Sequence, residues 1–405
     1  MTQETASPSA GKVDNALAAA RAVLRRSPLF DGHNDLPWVI RIDKAARGDV
    51  IAYELNRVHE NADTDIPRLR EGMVGAQFWA AFQPTGAAHP ARTTLEQIDL
   101  IRRIEEAHPD VFFPARRAAD YAKAKALGKI ASFIAVEGGV GLENSLSPLR
   151  IWHAAGVRLM TLCHNESLDW VDSATDAPRN GGLNAFGHVV ISELNRLGIV
   201  IDLAHASHEA MRRVLDVTEA PVALSHSNAH ALCDHPRNAP DDVLGRVKAN
   251  GGVVMTTFVP GFVSQALRDW LRRSRDAYGK APLAADPKAQ FAELESKHGA
   301  SPKATLEQVA DHVERLAATA GVNHVGIGSD YFGGASPVGL ENVSRFPHLF
   351  AELVRRGFSE RDLEKMASAN MLRVLRRVEK VGKALHGSRP PAIGRLEDFP
   401  GDASG

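Results

Sequence analysis

Cysteine is scarce in this sequence: only Cys163 and Cys233 occur among 405 residues. A single pair excludes a disulfide framework, and so low a count favours a reducing compartment. Each cysteine falls in a stretch with helical or strand-like character, which predicts two buried core thiols rather than reactive or metal-binding sulfur.

Neither sign of charge dominates, and long apolar runs are absent. Lys and Arg number 48 against 49 Asp and Glu, so the net charge of -1 gives no electrostatic reason to expect nucleic acid or an anionic membrane as partner. No run is long enough to span a bilayer, and neither end has the pattern of a secretory or lipid-anchor signal. We therefore expect a cytoplasmic protein with a small neutral or zwitterionic substrate.

Repeated strand–helix units organise the chain. Hydrophobic residues make up 44% of the sequence, enough for a large core. Short apolar runs recur, each followed by a polar or glycine-rich end and then by residues with helical spacing. Eight strands are predicted, at residues 29–35, 74–82, 129–139, 156–165, 198–207, 221–228, 251–259 and 324–332. Eight such units predict an α/β fold, a closed (β/α)8 TIM-type barrel.

Helices are predicted between most of these strands, at residues 93–107, 185–197, 208–217, 241–250 and 305–320, and after the last strand at 359–380. A polar stretch at about 269–303 is interpreted as an insertion before the eighth strand. The sequence thus predicts one barrel domain at residues 29–380, an N-terminal helical segment at 1–28 and a C-terminal tail at 381–405.

Candidate metal ligands lie at the ends of the first and third predicted strands. His33 and Asp35 are two residues apart, so in extended backbone both side chains leave the same face. Turn capping by Asp35 beside a hydrogen-bonded His33 is the structural alternative. Glu137 ends an apolar run, where a buried carboxylate needs a partner. Its two oxygens could bridge two cations, or it could form an ion pair with an arginine.

Two histidines occupy equivalent positions on successive strands. His205 and His226 each follow an apolar run, at the carboxyl ends of the fifth and sixth predicted strands. A single histidine there is commonly a core or capping residue, but two at the same height of a barrel favour convergence on a metal.

Three further polar side chains are expected at the same face of the barrel. His164 closes the fourth strand, Asp330 closes the eighth, and Arg237 lies in a loop over the mouth. His164 is a candidate metal ligand or substrate contact, and Asp330 is a candidate site residue or a loop cap. The guanidinium of Arg237 would suit a substrate carboxylate.

Imidazole and carboxylate donors without thiolate favour zinc, with manganese or cobalt as tolerated substitutes. Two ions per chain are expected, because His33 with Asp35 and His205 with His226 form two half-sites and Glu137 lies between them in strand order.

Taken together and in this order, the motifs resemble those of the membrane (renal-type) dipeptidases, zinc peptidases of the amidohydrolase-like barrels. The resemblance runs from Phe30 to about Arg373 and rests on DGHNDLPW, VEGG, TLCHN, DLAHAS, SHSNAH, RNAPDDVL and HVGIGSDYFGG. It implies that His33 and Asp35 bind one zinc, that His205 and His226 bind the other, and that Glu137 bridges them.

The resemblance also implies a reaction, the hydrolysis of dipeptides, plausibly L-Xaa-D-Xaa, by a hydroxide held between the two metals. His164 would bind substrate and stabilise the developing oxygen charge, Asp330 would transfer the proton, and Arg237 would hold the free carboxylate. It further suggests a homodimer.

Departures from the family pattern leave alternatives open. Phe332 stands near Asp330 where relatives often have a second aspartate, and Val259 and Phe262 replace tyrosines. These changes leave the expected ligands intact and bear on substrate choice. One alternative is a metal-dependent amidase or lactonase acting on non-peptide substrates, and another is a barrel that binds without catalysis.

Overall fold

Eight parallel strands close into a barrel in the computed structural model, which describes residues 10–60, 62–84, 86–278 and 287–399. The strands of the described residues are β1 Leu29–Asn34, β2 Val74–Phe82, β3 Phe112–Pro114, β4 Ile130–Glu137, β5 Val157–Thr161, β6 Val200–Asp202, β7 Ala223–Leu224, β8 Val253–Thr256 and β9 Val325–Ile327. Going round the barrel the order is β1, β2, β4, β5, β6, β7, β8, β9, and β9 pairs with β1. The predicted barrel is confirmed.

The strands differ from the prediction in number and length. Sequence patterns missed β3, a three-residue strand outside the closed barrel that pairs with the first residues of β4. Several predicted strands were too long, since β6, β7 and β9 have only three, two and three residues. The polar residues that follow them lie in loops at the carboxyl ends of the strands, the face where barrel enzymes place their sites.

Helices surround the barrel. Their bounds are α1 Ala10–Arg26, α2 Leu36–Ile42, α3 Ile66–Glu71, α4 Pro90–Ala107, α5 Ala118–Ala126, α6 Ser147–Ala155, α7 Ala185–Leu197, α8 His208–Val217, α9 Asp241–Asn250, α10 Pro260–Val263, α11 Gln265–Tyr278, α12 Pro287–His298, α13 Leu306–Thr319, α14 Phe346–Arg355, α15 Glu360–Glu364 and α16 Asn370–Ser388. Within the described part of the chain, none of these helices has the length and apolarity needed to cross a bilayer.

Most helices predicted from periodicity match these bounds. The helices α7, α8 and α9 begin and end as predicted, and α13 begins one residue later because Thr305 caps it, its side chain accepting from the Gln308 N–H. The helix predicted at 359–380 is instead two α-helices joined by a π-helical turn, Lys365–Ala369, and it continues to Ser388. Helix periodicity does not register a single π turn.

The polar stretch at 269–303 contains the end of α11 and all of α12, and its residues 279–286 lie outside the described part. Of the predicted N-terminal segment, residues 10–26 form α1, and residues 1–9 lie outside it. Of the predicted tail, 381–388 continue α16, and residues 400–405 also fall outside. The division into these three segments stays a prediction.

Aromatic rings fill the inside of the barrel beneath the carboxyl ends of the strands. Phe30, Phe78 and Phe133 come from β1, β2 and β4, and their ring centroids lie 5.2, 5.2 and 5.4 Å apart. Because side chains alternate along a strand, Phe133, Ala135 and Glu137 share the inward face of β4. Glu137 therefore sits above an apolar floor.

Two glycines let non-adjacent strands approach within the barrel. A Cβ on Gly328 would lie 1.7 Å from the backbone oxygen of Ser225, and one on Gly32 would lie 2.5 Å from the same atom. A backbone oxygen cannot turn aside as a long side chain can. The absence of both Cβ atoms thus brings the ends of β1, β7 and β9 together, and these ends carry His33, His226 and Asp330.

Gly328→Ala is therefore expected to lower the free energy of unfolding by about 3 kcal/mol or more, because the barrel backbone must shift to admit the methyl group. The matched control is Gly245→Ala in α9, where an added Cβ meets nothing within 4 Å. It should raise the free energy of unfolding by about 1 kcal/mol through helix propensity. Urea denaturation measures both; equal stability of the two variants would contradict this close packing.

Candidate metal and substrate site

Every candidate site residue lies at or just beyond the carboxyl end of a strand. His33 is in β1 and Glu137 is the last residue of β4. The others occupy loops that follow strands: Asp35 after β1, His164 after β5, His205 after β6, His226 and Arg237 after β7, and Asp330 after β9. The barrel thus brings together side chains that are up to about three hundred positions apart in the sequence.

His33 lies between the carboxylates of Glu137 and Asp35. The Nε2 atom of His33 lies 3.3 Å from Glu137 Oε2 and 3.6 Å from Asp35 Oδ1. The prediction placed both side chains on one face of an extended strand, and this geometric reason is wrong. The strand ends at Asn34, and Asp35 has φ −92° and ψ 15° as the residue that precedes α2. The turn into the helix, not the strand pleat, directs the Asp35 carboxylate toward His33.

The other oxygen of Glu137 faces three histidines. Its Oε1 lies 3.1 Å from His205 Nε2, 3.6 Å from His226 Nε2 and 3.9 Å from His164 Nε2. His226 also lies against His33, with ring centroids 4.0 Å apart. Glu137 is therefore the centre of the cluster, with a different set of neighbours at each carboxylate oxygen.

The donor atoms of this cluster fit a metal better than they fit one another. Among the described residues, His33 Nε2, His226 Nε2 and Asp35 Oδ1 are buried and have no hydrogen-bond partner, which is costly in a protein interior. Three groups of side chains bring their donor atoms within 4.8 Å of one another: His33, Glu137, His226; Glu137, His164, His205; and His33, Asp35, Asp330. Overlapping groups of this kind suit more than one cation.

Burial and neighbouring charges shift the pKa values of the cluster residues in different directions. Burial lowers the pKa of His205 and of His226 well below the ordinary value, and the charge of Arg237 acts in the same direction. Burial opposes the charged form of His33 too, but the carboxylates of Glu137 and Asp35 raise its pKa well above the usual range. Despite its own burial, Glu137 has its pKa lowered well below normal, chiefly by His33. The site therefore offers neutral imidazoles at His205 and His226 and an ionised carboxylate at Glu137.

Asp330 combines a left-handed backbone conformation with a raised pKa. Its φ is +63°, in the left-handed region, and a Cβ on Gly333 would come within 2.0 Å of its Oδ1. Glycine at 333 therefore lets the loop fold back over the carboxyl group. Burial, together with the nearby charges of Asp35 and Glu137, raises the pKa of Asp330 to about 8 against the opposing effect of His33. Such a group can exchange a proton near neutral pH.

Arg237 lies deeper than the sequence indicated. The prediction placed it over the mouth, but the side chain is only 1% exposed, and its guanidinium carbon lies 5.4 Å from the centre of the Phe262 ring. Its Nη2 donates to the backbone oxygen of His226, while Nε and Nη1 have no hydrogen-bond partner among the described residues. Burial lowers its pKa, against the charges of Asp330 and Glu137. The arginine thus presents unused donors at the wall of the site.

A cavity of about 380 Å³ opens above the cluster. Carboxylates and imidazoles line its floor, and apolar side chains line its sides. The lining residues are Asp35, Trp38, Val39, Ile42, Phe82, Glu137, His164, Asn165, His205, Arg237, Val259, Phe262, Asp330, Phe332 and Gly333. A space of this size, lined by side chains above the candidate ligands, suits a small substrate.

A second layer of polar residues, not predicted from the sequence, lies below the cluster. The Asp202 carboxylate accepts from the Ser225 hydroxyl at 2.5 Å, and that hydroxyl lies 2.7 Å from His226 Nδ1. Asp31 similarly accepts from both the backbone N–H and the hydroxyl of Ser329. A signal was present, because each aspartate interrupts an apolar strand, where a buried carboxylate requires partners.

Comparison with known proteins places this site in a family. The sequence pattern described as "Membrane dipeptidase (Peptidase family M19)" matches residues 17–389. The chain belongs to the membrane dipeptidase family. It is a metal-dependent dipeptidase by this membership, and the resemblance noted from its motifs is confirmed.

Relatives and solved structures agree with the family assignment. The chain is 37% identical over 383 residues to Dipeptidase 3 of Rattus norvegicus, an alignment that covers 92% of this chain and 70% of the relative. The corresponding values for Dipeptidase 3 of Mus musculus are 38%, 92% and 69%. The structure of the probable dipeptidase PvdM from Pseudomonas aeruginosa has a TM-score of 0.79 at 25% identity, covering 91% of this chain and 99% of that one.

A metallopeptidase from Rhodobacter sphaeroides shares the fold, with a TM-score of 0.71 at 23% identity over 87% of this chain and 99% of its own. The prediction of a homodimer is not tested by these comparisons and stays a prediction.

The predicted cytoplasmic location is wrong. The membrane dipeptidase family and its Dipeptidase 3 members point to an extracellular or membrane-anchored protein. The prediction gave weight to the low cysteine count, which is a poor guide for a chain of this size. A barrel of several hundred residues buries enough surface to be stable without disulfides, so their absence does not identify a reducing compartment.

Proposed function

We propose that this membrane dipeptidase family member uses two zinc ions to hydrolyse dipeptides, including L-Xaa-D-Xaa dipeptides. The observation that carries the proposal is the arrangement around Glu137, whose two oxygens face different sets of ligand atoms. A carboxylate in that position can bridge two cations, whereas a single tetrahedral ion would leave part of the ligand set unused.

In this proposal His33 and Asp35 hold one ion, His205 and His226 hold the other, and Glu137 bridges them. The donors are imidazole nitrogen and carboxylate oxygen, a set that zinc accepts readily. Both cysteines are buried and unpaired, and burial raises the pKa of Cys163 to about 12, so thiolate is not available to compete. The partnerless Nε2 atom of His226 supplies one of the required lone pairs, and that of His33 supplies another once the ring has lost its extra proton.

The metals, when bound, supply an activated water and polarise the scissile carbonyl. The protein's own side chains then divide the remaining work. Asp330 accepts the proton released by the nucleophile and returns it to the leaving amine, a role suited to a carboxyl group with a pKa near neutrality. His164, which is only partly buried at the cavity wall, donates to the oxygen on which negative charge develops.

Arg237 indicates a substrate with a free carboxylate. Its Nε and Nη1 have no hydrogen-bond partner within the described part of the chain, so the guanidinium keeps donors for the C-terminal carboxylate of a short peptide. The cavity above the cluster has room for about one residue on either side of the scissile bond. The Rhodobacter sphaeroides metallopeptidase was solved with a phosphinate mimic of the dipeptide L-Ala-D-Ala. We extend that substrate to this chain.

Kinetic comparison of L-Ala-D-Ala with its C-terminal amide tests the proposal. Arg237→Met removes the charge but keeps a long apolar chain against Phe262. It is expected to raise KM for L-Ala-D-Ala by about 10- to 100-fold, the value of a charge-assisted bidentate contact, and to leave turnover of the amide unchanged.

Two outcomes contradict parts of this account. If the parent enzyme hydrolyses neither compound in the presence of zinc, the proposed substrate class is wrong. If Arg237→Met loses activity equally on both compounds, the arginine supports the structure or the chemistry rather than binding the carboxylate.

A further inference from the structure

Beneath the proposed zinc ligands, Ser225 joins a buried carboxylate to the ring of His226. Its hydroxyl lies 2.5 Å from Asp202 Oδ2 and 2.7 Å from His226 Nδ1. All three side chains are buried, with 0% exposure each. A hydroxyl carries one proton, so it donates to only one of these two neighbours.

The surroundings of Asp202 decide which neighbour receives that proton. Its Oδ1 accepts from the backbone N–H groups of Ala204 and Ser225, at 3.1 and 2.8 Å. Its Oδ2 accepts from the Thr161 hydroxyl at 2.7 Å. A carboxylate that accepts on both oxygens has no proton to offer the serine. The Ser225 hydroxyl therefore donates to Asp202 and accepts from His226.

We propose that Ser225 and Asp202 are positioning residues that fix the proton of His226 on Nδ1, so that Nε2 presents its lone pair to the metal. This inference rests on the proposed function, in which Nε2 of His226 is a ligand. That atom faces Glu137 Oε1 at 3.6 Å and has no hydrogen-bond partner among the described residues. Orientation of a ligating imidazole through its other nitrogen is a general device of metal sites.

The first test reads the tautomer in the metal-free full-length protein by 15N NMR of histidine-labelled chain, with His226→Gln used to identify the signal. The parent is expected to carry the proton on Nδ1. Asp202→Asn is expected to reverse the tautomer: the amide oxygen keeps the two backbone donors, the amide NH2 faces Ser225, and the hydroxyl must then donate to His226 Nδ1. A parent with the proton on Nε2, or an Asp202→Asn protein with the proton still on Nδ1, overturns the proposal.

The second test measures zinc affinity by competition with a chelator. Ser225→Ala is expected to weaken zinc binding by about 10- to 100-fold, as the loss of such an outer contact does in other metal sites. The matched control is Thr161→Val, which removes a buried hydroxyl from the same carboxylate without contact to the histidine. Its zinc affinity should equal that of the parent.

The outcomes of the second test separate positioning from stability. Equal weakening in Ser225→Ala and Thr161→Val would show that both hydroxyls serve only the burial of Asp202, and would overturn the proposal. Unchanged affinity in Ser225→Ala would do the same. If the parent itself binds no zinc, the proposed function is wrong. The tautomer of His226 is measured on metal-free protein, so that result is independent of zinc binding.

Discussion

Replacing Asp330 with asparagine is expected to lower kcat for dipeptide hydrolysis by about 10²- to 10⁴-fold, the usual contribution of a general acid–base group. An amide has nearly the same shape as the carboxyl group but cannot carry a proton between nucleophile and leaving amine. The metal content and the fold should be retained. The measurement combines kcat, elemental analysis and melting temperature on one preparation.

A neighbouring carboxylate supplies the control for this variant. Asp63 accepts from the backbone N–H of Phe332, a residue in the same loop as Asp330. Asp63 belongs to none of the groups of candidate ligands. Asp63→Asn should therefore keep kcat close to the parent value. If Asp330→Asn instead melts earlier yet turns over normally with its metal in place, Asp330 only caps the loop, and His164 becomes the candidate base.

Replacing Glu137 with glutamine is expected to weaken zinc binding by more than about 100-fold, because even outer contacts of metal ligands are commonly worth 10- to 100-fold. Glutamine keeps the size of the side chain but loses the negative charge and one of the two acceptor oxygens. Both half-sites should be affected, since each carboxylate oxygen faces its own set of ligand atoms. Elemental analysis after dialysis measures the zinc that the variant retains.

His164→Asn is the comparison variant for Glu137→Gln. The Nε2 atom of His164 lies 3.9 Å from Glu137 Oε1, farther than those of His205 and His226, and the proposal gives it a substrate role. It should keep more metal than Glu137→Gln. Equal retention by the two variants would mean that Glu137 does not bridge two ions.

The barrel could be predicted from sequence because parallel strands that are buried on both faces appear in the sequence as continuous apolar runs. The runs at residues 74–82 and 129–139 were long and unambiguous, and β2 has the predicted bounds. The strands in the runs 198–207 and 221–228 were predicted too long, since β6 and β7 are short and the rest of each run is mostly buried loop. Hydrophobicity reports burial, not the point at which strand pairing ends.

The convergence of the candidate residues was predictable, but the detailed geometry of the cluster was not. Polar residues that recur where apolar runs end identified His205, His226 and Glu137, because the carboxyl ends of barrel strands converge. The burial of Arg237 and the partners of Asp202 could not be foreseen, since both depend on contacts between distant parts of the chain. The role of Gly328 likewise follows only from its distance to a backbone oxygen on another strand.

Stepwise addition of zinc to the metal-free full-length protein, followed by hydrolysis of L-Ala-D-Ala at each step, tests the central claim most directly. The account predicts binding that saturates near two ions per chain, with full activity only when both are bound, because five candidate ligands at the ends of four strands exceed one tetrahedral site. Saturation at one ion per chain with full activity would contradict the binuclear centre around Glu137.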